Sequence, residues 1–336
     1  MDLSDYQDLF LPAIEARLIS DLHTHLDDAY PELKESIFYH FGITSEKEGG
    51  GGKRVRPLLV LLTADILGID WTSVLPMASA VEMLHNFSLI HDDIEDHSST
   101  RRGRLTVWEK WGIEKAVNIG DVLYSMAMQT IQSPDLPFNA ASVSESALIF
   151  SRTAFELLQG QQMDMDFEGI ATLQTEDYLK MIAGKTGALL AYSCEVSAIL
   201  RRCTTDIRNH LWAVGMNLGL SFQVYDDWLG IWGEERQTGK PTFNDLLAHK
   251  VSYPVLLGLS RSADFRELWL DDQPPSTHKV QRMAELLVKS GIDREVLVKS
   301  EEYNNLAISF LEKITGNLDS KNALQDLLKD LVKRKK

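Results

Sequence analysis

The stretch MASAVEMLHNFSLIHDDIED, residues 77–96, decides the architecture. Met77, Val81, Leu84 and Ser88 recur at three- and four-residue spacing, and the same stripe runs on to Asp92. That period is the signature of an α-helix with one face in a core. The run stays apolar through Phe87, Leu89 and Ile90, then meets three carboxylates, Asp92, Asp93 and Asp96. On a helix, Asp92 and Asp96 point to one face, and like charges at this spacing weaken the helix. Two readings stay open for this segment taken alone. One is a solvated acidic face. The other is a set of hard oxygen ligands for Mg²⁺, which takes a few carboxylates and completes its shell with phosphate oxygens. The apolar approach favours the second, because it puts the helix end at the mouth of a core.

Working outward, the helical period continues at 115–132, 141–168, 175–201, 207–232 and 283–292, and strand alternation is weak everywhere. The expectation is an all-α protein of long helices. Gly, Pro and polar clusters break the pattern at 49–53, 99–105, 133–139, 234–242 and 271–277. None of these has the length of an interdomain linker, and there is no repeat of solenoid period. One helical domain over residues 1–336 is expected rather than two.

Composition supports a large packed core. The 336 residues are 44% hydrophobic and 25% charged, ordinary globular usage at a length that needs no staples. The net charge of −15 argues against a nucleic-acid binder, which would carry a basic face. It leaves phosphate substrates open, because a divalent cation reverses the local sign. Two isolated cysteines, Cys194 and Cys203, make neither a disulfide framework nor a zinc set. The opening MDLSDYQDLF is acidic, unlike a signal peptide, and no run reaches the roughly 18 apolar residues of a membrane span. The expected setting is the cytoplasm.

Three further clusters carry chemistry. In FQVYDDWLGIWG (222–233) Asp226 and Asp227 again follow an apolar helical run. Facing helices of a bundle commonly build metal sites from inward side chains, so the two acidic regions are expected to reach one cleft. In GGGGKRVRP (49–57) glycines permit close backbone approach, and Lys53, Arg54 and Arg56 offer donors to phosphate oxygens. This is not a nucleotide P-loop, because Arg54 stands where Ser or Thr is required. AGKTG (183–187) fails likewise, with Leu179 in place of the earlier Gly. Arg101, Arg102 and Arg104 follow the first acidic cluster, either as charge balance for it or as anion donors. Lys185, Lys240 and Lys250 sit among Gly, Thr and Pro, and singly each reads as solvated surface.

Taken together, GGKRVRP, HDDIEDHSSTRRG, GKTGAL, FQVYDDWLG and GKPTFNDLLAHKVSYP, in this order, resemble the trans-isoprenyl diphosphate synthases (polyprenyl synthetases). NIGDVLYSMA (118–127) and LLQGQQMD (157–164) fit the same pattern, whereas the last 80 or so residues carry little of it. The resemblance implies a single all-α bundle of the isoprenoid synthase type around a deep central cavity, acting as a homodimer. It implies Mg²⁺, three ions with substrate bound, and head-to-tail (1'-4) condensation of isopentenyl diphosphate with an allylic diphosphate. Matched motif by motif, Asp92, Asp93 and Asp96 hold Mg²⁺ on the allylic diphosphate, and Asp226 and Asp227 hold a further ion. Arg101 and Lys250 contact the allylic diphosphate; Lys53, Arg56, His85 and Arg102 bind isopentenyl diphosphate. Lys185, Thr186, Gln223 and Lys240 line the reacting end, and the tail Lys333, Arg334, Lys335 and Lys336 either closes over a diphosphate or is merely solvated.

The chemistry accounts for these residue types. An allylic C–O bond ionises, so metal and cationic groups must stabilise the departing diphosphate while water is kept from the carbocation. One departure stands out: Gly230 replaces the third aspartate common in the second motif, and Gly230→Asp presents itself as the test of that loss. Product length is read from the turns below the first motif. Leu84 and Ser88 lie beneath Asp92, and Ser88 leaves its slot open. Phe87, angled away from Asp92, is either a floor of the short-chain kind or core packing. The resemblance favours geranylgeranyl diphosphate (C20), then farnesyl diphosphate. A class I terpene cyclase fits less well, because Ala248 and Ser252 occupy the Ser/Thr and Glu positions of its motif after Asn244-Asp245. A metal phosphohydrolase is suggested by the His91-Asp92 pair, but the other dispersed His ligands of that class have no clear counterparts here. A non-catalytic partner subunit usually loses first-motif aspartates that are intact here.

Overall fold

A computed structural model describes residues 1–43, 52–167, 172–234, 242–271, 273 and 275–333, with Lys333 described by its backbone only. Lys240, Arg334, Lys335 and Lys336 lie outside the described residues, as do Gly49–Gly51. The chain is all-α, as the periodicity predicts. The helices are α1 (Leu3–His25), α2 (Pro31–Phe41), α3 (Val55–Ile66), α4 (Leu75–Glu95), α5 (Val107–Trp111), α6 (Ile113–Thr130) and α7 (Ala140–Asp166). They continue with α8 (Thr175–Ile182), α9 (Ala188–Leu200), α10 (Thr205–Trp232), α11 (Asn244–Leu247) and α12 (Tyr253–Arg261). The last are α13 (Ala263–Leu270), α14 (Thr277–Lys289), α15 (Ile292–Glu312) and α16 (Leu318–Lys333). Among the described residues the only sheet is a hairpin of β1 (Thr100–Arg101) and β2 (Arg104–Leu105). No helix among them is long and apolar enough to cross a membrane.

Two sequence readings are corrected. The 175–201 run is not one regular helix: Ala183–Gly187 forms a π-helical turn between α8 and α9. The 283–292 run ends early, because Gly291 takes a left-handed conformation (φ 73°) that separates α14 from α15. Helix ends otherwise follow local chemistry. Asp2 and Asp5 form a reciprocal capping box on α1, Pro31 opens α2, and Gly42 (φ 74°) closes it.

The chain packs as two compact units. The first comprises residues 1–154, 192–212 and 314–324. In it α4 is buried nearly all round: Met77, Ala80, Val81 and Leu84 have 0% exposure. It packs against α1, α3 and α6, and α1 supplies Phe10, Ile14, Leu18 and Leu22 at helical spacing. The second comprises 155–191, 213–313 and 325–336. Its core joins Tyr178, Ile182, Val224, Leu246, Trp269, Leu287 and Val296, among others.

The glycines of AGKTG serve packing in the second unit. A Cβ on Gly184 would lie 2.7 Å from the Glu156 carbonyl oxygen, and one on Gly160 would lie 2.1 Å from the Lys185 nitrogen. On α10, a Cβ on Gly219 would sit 2.5 Å from the Gly187 Cα. Backbone meets backbone there, so relief requires helices to move apart. Gly219→Ala is expected to destabilise the protein by about 1–3 kcal/mol, the usual overpacking range, read as a lower urea midpoint at unchanged slope. Gly103→Ala, with no atom within 4 Å of the added Cβ but φ 74°, provides a control with backbone strain alone.

Candidate functional site

In the first unit the site is built on the C-terminal end of α4. Asp92 is half-buried, Asp93 buried and Asp96 exposed at the helix cap. The chain then turns through the hairpin, whose two connecting residues Arg102 (φ 51°) and Gly103 (φ 74°) are both left-handed, as a tight two-residue hairpin turn requires. The turn sends Arg101 back onto the helix. Its Nε donates to both oxygens of Asp93 at 2.8 and 2.9 Å, and its Nη2 reaches Asp92 Oδ2 at 3.4 Å. Arg104 is carried the other way, donating to the Tyr39 carbonyl oxygen at 2.9 Å and lying over the Tyr39 ring. A pocket lined by Tyr39, His40, Asp93, Arg101, Arg102 and Arg104 results.

The basic stretch arrives beside it. Gly52 lies against the Arg102 guanidinium, which a Cβ would meet at 2.7 Å, so a side chain there would push the guanidinium aside. Lys53 is exposed. Arg56 Nη1 donates to His85 Nε2 at 3.1 Å, while Arg56 Nε is buried without a partner. Burial, then Arg56, Arg102 and Arg101, hold His85 well below its ordinary value, so the ring is neutral and accepts. Thus Arg56, His85 and Arg102, expected together, are brought together. Farther down α4, Leu84 is fully buried and Ser88 half-buried. Phe87 packs edge-on to His91 (centroids 4.8 Å) and tilted against Tyr124 of α6 (5.3 Å).

In the second unit α10 carries the other acidic pair. Asp226 is half-buried and Asp227 is 2% exposed. Asp227 accepts from the Tyr178 hydroxyl, from Tyr253 N at 2.8 Å and from Gln223 Nε2 at 3.2 Å. Thr186 Oγ1 in turn donates to Gln223 Oε1 at 2.9 Å, and Lys185 Nζ to Asp164 Oδ2 at 2.5 Å. Thr186, Gln223 and Asp227 therefore form one chain of hydrogen bonds. Lys250 is half-buried, its backbone N bonded to the Asp245 carbonyl. Gly230 lies against the Asp245 side chain, where a Cβ would fall 2.1 Å from Oδ2. Gly230→Asp is thus not a simple restoration, since it also displaces Asp245.

Sequence reading missed Arg54's partners Glu15 and Glu82, and also Asp164, Tyr178, Tyr253 and Asp245. Glu82 and His85, one helical turn apart below the aspartates, are the signal that could have exposed the first set; Tyr178 has no local signal.

The donor set suits a hard divalent cation. Carboxylates crowd the C-terminal end of α4, where the helix dipole is already negative. Among the described residues no group of three or more His, Cys, Asp or Glu side chains is placed to hold a metal ion; Mg²⁺ is commonly bound by one or two carboxylates with substrate phosphates and water. Burial raises Asp93 to about 6, against the opposing pull of Arg101. Burial and then Asp245 raise Asp227 to about 7, against Tyr178 and Tyr253. Both exceed the unfolded value of 3.8. In metal-free protein their contribution therefore favours the fold at low pH and is lost as pH rises from about 4 through these values. A cation held beside them favours the ionised forms. The gain in Tm on adding Mg²⁺ is expected to be small near pH 5.5 and to grow towards about pH 8, by calorimetry with and without EDTA. A pH-independent gain counts against this assignment.

Comparison with known proteins bears on these features. The profile of the polyprenyl synthetase family matches residues 43–287. A (2E,6E)-farnesyl diphosphate synthase of Mycobacterium tuberculosis is 36% identical over 316 residues, covering 90% of this chain and 87% of the relative. A geranylgeranyl diphosphate synthase of Saccharolobus solfataricus is 32% identical over 312 residues, covering 91% and 92%. The crystal structure of a geranylgeranyl pyrophosphate synthetase from Pyrococcus horikoshii Ot3 superimposes with a TM-score of 0.88 at 28% identity, covering 98% of this chain and 100% of that one. It shares the helical fold of the isoprenyl diphosphate synthases. With its acidic and basic motifs in place and this likeness along nearly its whole length, the chain belongs to the polyprenyl synthetase family and is a prenyltransferase that makes prenyl diphosphates.

Proposed function

We propose that residues 1–336 act as one domain, a Mg²⁺-dependent synthase joining isopentenyl diphosphate head-to-tail (1'-4) to allylic diphosphates, with geranylgeranyl diphosphate (C20) as main product. The observation that carries this reading lies in the first unit: a carboxylate cluster at the α4 end beside a pocket lined by Arg101, Arg102 and Arg104, with Arg56 bonded to His85 on the same helix and its Nε buried without a partner. Asp92, Asp93 and Asp96 at the α4 end, and Asp226 and Asp227 in the second unit, are the proposed metal ligands. In the metal-free protein Asp93 accepts from Arg101, and Asp227 from Tyr178, Tyr253 and Gln223. When bound, Mg²⁺ supplies positive charge against the departing diphosphate.

The chain's own residues divide the remaining work. Lys53, Arg56 and Arg102 hold the isopentenyl diphosphate, Arg56 steered by the neutral His85 ring. Arg101 and Lys250 serve the allylic diphosphate. Lys185, Thr186, Gln223 and Lys240 serve the reacting end, where the Thr186 hydroxyl is fixed by Gln223. The apolar wall around Leu84 and Phe87 keeps water from a carbocation. We further propose a cytoplasmic homodimer. Exposed apolar side chains on α6 (Ile113, 50%; Val117, 41%) and α7 (Leu148, 54%) are the kind of surface a second copy covers.

Purified protein incubated with labelled isopentenyl diphosphate, Mg²⁺ and each allylic starter in turn is expected to give C20 alcohol after dephosphorylation. A main product beyond C25, or elongation that persists in EDTA, rejects the C20 or the metal assignment respectively. Phe87 closes the space between α4 and α6 with Tyr124. Phe87→Ala is expected to shift product towards C25 and longer, at a stability cost of about 3–5 kcal/mol. An unchanged product spectrum in a folded variant leaves Phe87 as core packing only.

A further inference from the structure

Arg54 is the one cation of the basic stretch that the proposed chemistry does not use. It is also the most constrained. It precedes α3 with φ 48° and ψ 37° and has no side-chain cap bond. A non-glycine residue holds this left-handed conformation only when its surroundings enforce it. The enforcement is visible in the side chain, which is 2% exposed. Its Nη1 donates to Glu82 Oε1 at 2.7 Å and its Nε to Glu15 Oε1 at 2.6 Å, with the guanidinium over the Phe41 ring.

Glu82 is itself held. Asn86 Nδ2 donates to its Oε1 at 2.9 Å and to its carbonyl oxygen at 2.8 Å, and Asn86 Oδ1 pairs with His40 Nε2 at 3.1 Å. A buried carboxylate with a guanidinium and an amide on it is a rigid anchor. Three residues on, His85 takes Arg56. Helix α4 therefore presents two acceptors on one face, one turn apart, and each receives an arginine of the basic stretch. The stretch is registered to the same helix that ends in Asp92 and Asp96.

We propose that Glu82 is a positioning residue for isopentenyl diphosphate: through Arg54 it fixes the backbone of residues 52–56 so that Lys53 and Arg56 face the substrate. This rests on the reading that those two residues bind isopentenyl diphosphate, and it adds a group that never touches the ligand. The pairing also explains why Arg54 is not a diphosphate donor, since its charge is consumed by two carboxylates inside the fold.

Glu82→Gln keeps the shape and removes the charge. With the allylic starter saturating, the KM for isopentenyl diphosphate is expected to rise about 10- to 100-fold, the scale of a small misplacement. The KM for the allylic starter is expected to stay within about twofold and kcat within about threefold. Titration calorimetry with isopentenyl diphosphate alone is expected to show the same loss. Because one partner of a buried pair is removed, the variant risks unfolding. The double variant Arg54→Met/Glu82→Leu replaces the pair by apolar side chains, which restores stability in such cases, and it carries the test by itself if the single variant does not fold. It is expected to melt near the wild type yet keep the raised KM. An unchanged KM in either folded variant, or an equal rise in both KM values, overturns the proposal. Failure of the wild type to elongate any starter instead overturns the reading on which the proposal rests.

Discussion

The constraint on which the first unit depends is electrostatic. Helix α4 ends in Asp92, Asp93, Glu95 and Asp96, at the end where aligned peptide dipoles already leave negative charge. Each acid placed there costs about 0.3–1 kcal/mol when exposed, and the acids also repel one another. The helix nonetheless persists to its last turn because its body is buried on nearly every side, so tertiary packing rather than local propensity holds it. The hairpin returns Arg101 to Asp93 and partly relieves the strain. What results is a cluster of carboxylate oxygens held in place by the buried body of the helix and by Arg101.

Both acidic pairs solve the same geometric problem in the same way. Neighbours on a helix point about 100° apart, so two consecutive aspartates cannot serve one cleft equally. In each pair the second residue turns inward: Asp93 is taken by a guanidinium, Asp227 by a phenol, a backbone N–H and a carboxamide. Burial lifts both pKa values, and protein donors restrain the rise. In each pair the first residue, Asp92 or Asp226, stays half-buried. The inward aspartate orients its neighbours: Asp227 holds the Gln223 carboxamide, and Gln223 accepts from the Thr186 hydroxyl.

Much of this was legible in the residues, and the illegible part has identifiable causes. The 3.6-residue period exposed α4, α6, α7 and α10 because each presents a long stripe to a core. The π-turn at Ala183–Gly187 was invisible, since the close backbone approach of Gly160 to Lys185 that accompanies it is encoded by no local pattern. Gly291 was read through because a single glycine inside an apolar run gives no sign of its φ. Motif residues near one another in sequence, such as Asp93 and Arg101, were grouped, and charge balance between them was one of the two readings. Partners distant in sequence, such as Asp227 with Tyr178 or Arg54 with Glu15, were not, because only the fold places them together.

The acidic balance of the chain makes the treatment of its cations the deciding matter for an anionic substrate. A net charge of −15 offers a guanidinium abundant carboxylates, and one so paired has little field left for a ligand. Arg54 shows that outcome, with Glu15 and Glu82 both on it. Arg56, two residues on, is instead oriented by an imidazole. Burial and neighbouring guanidinium groups keep His85 neutral, so the hydrogen bond aims Arg56 without cancelling its charge. A carboxylate at position 85 would fix the same geometry and abolish the attraction. The choice between Glu82 and His85, a single turn apart on one helix, separates an arginine whose charge is spent on carboxylates from one whose charge is kept.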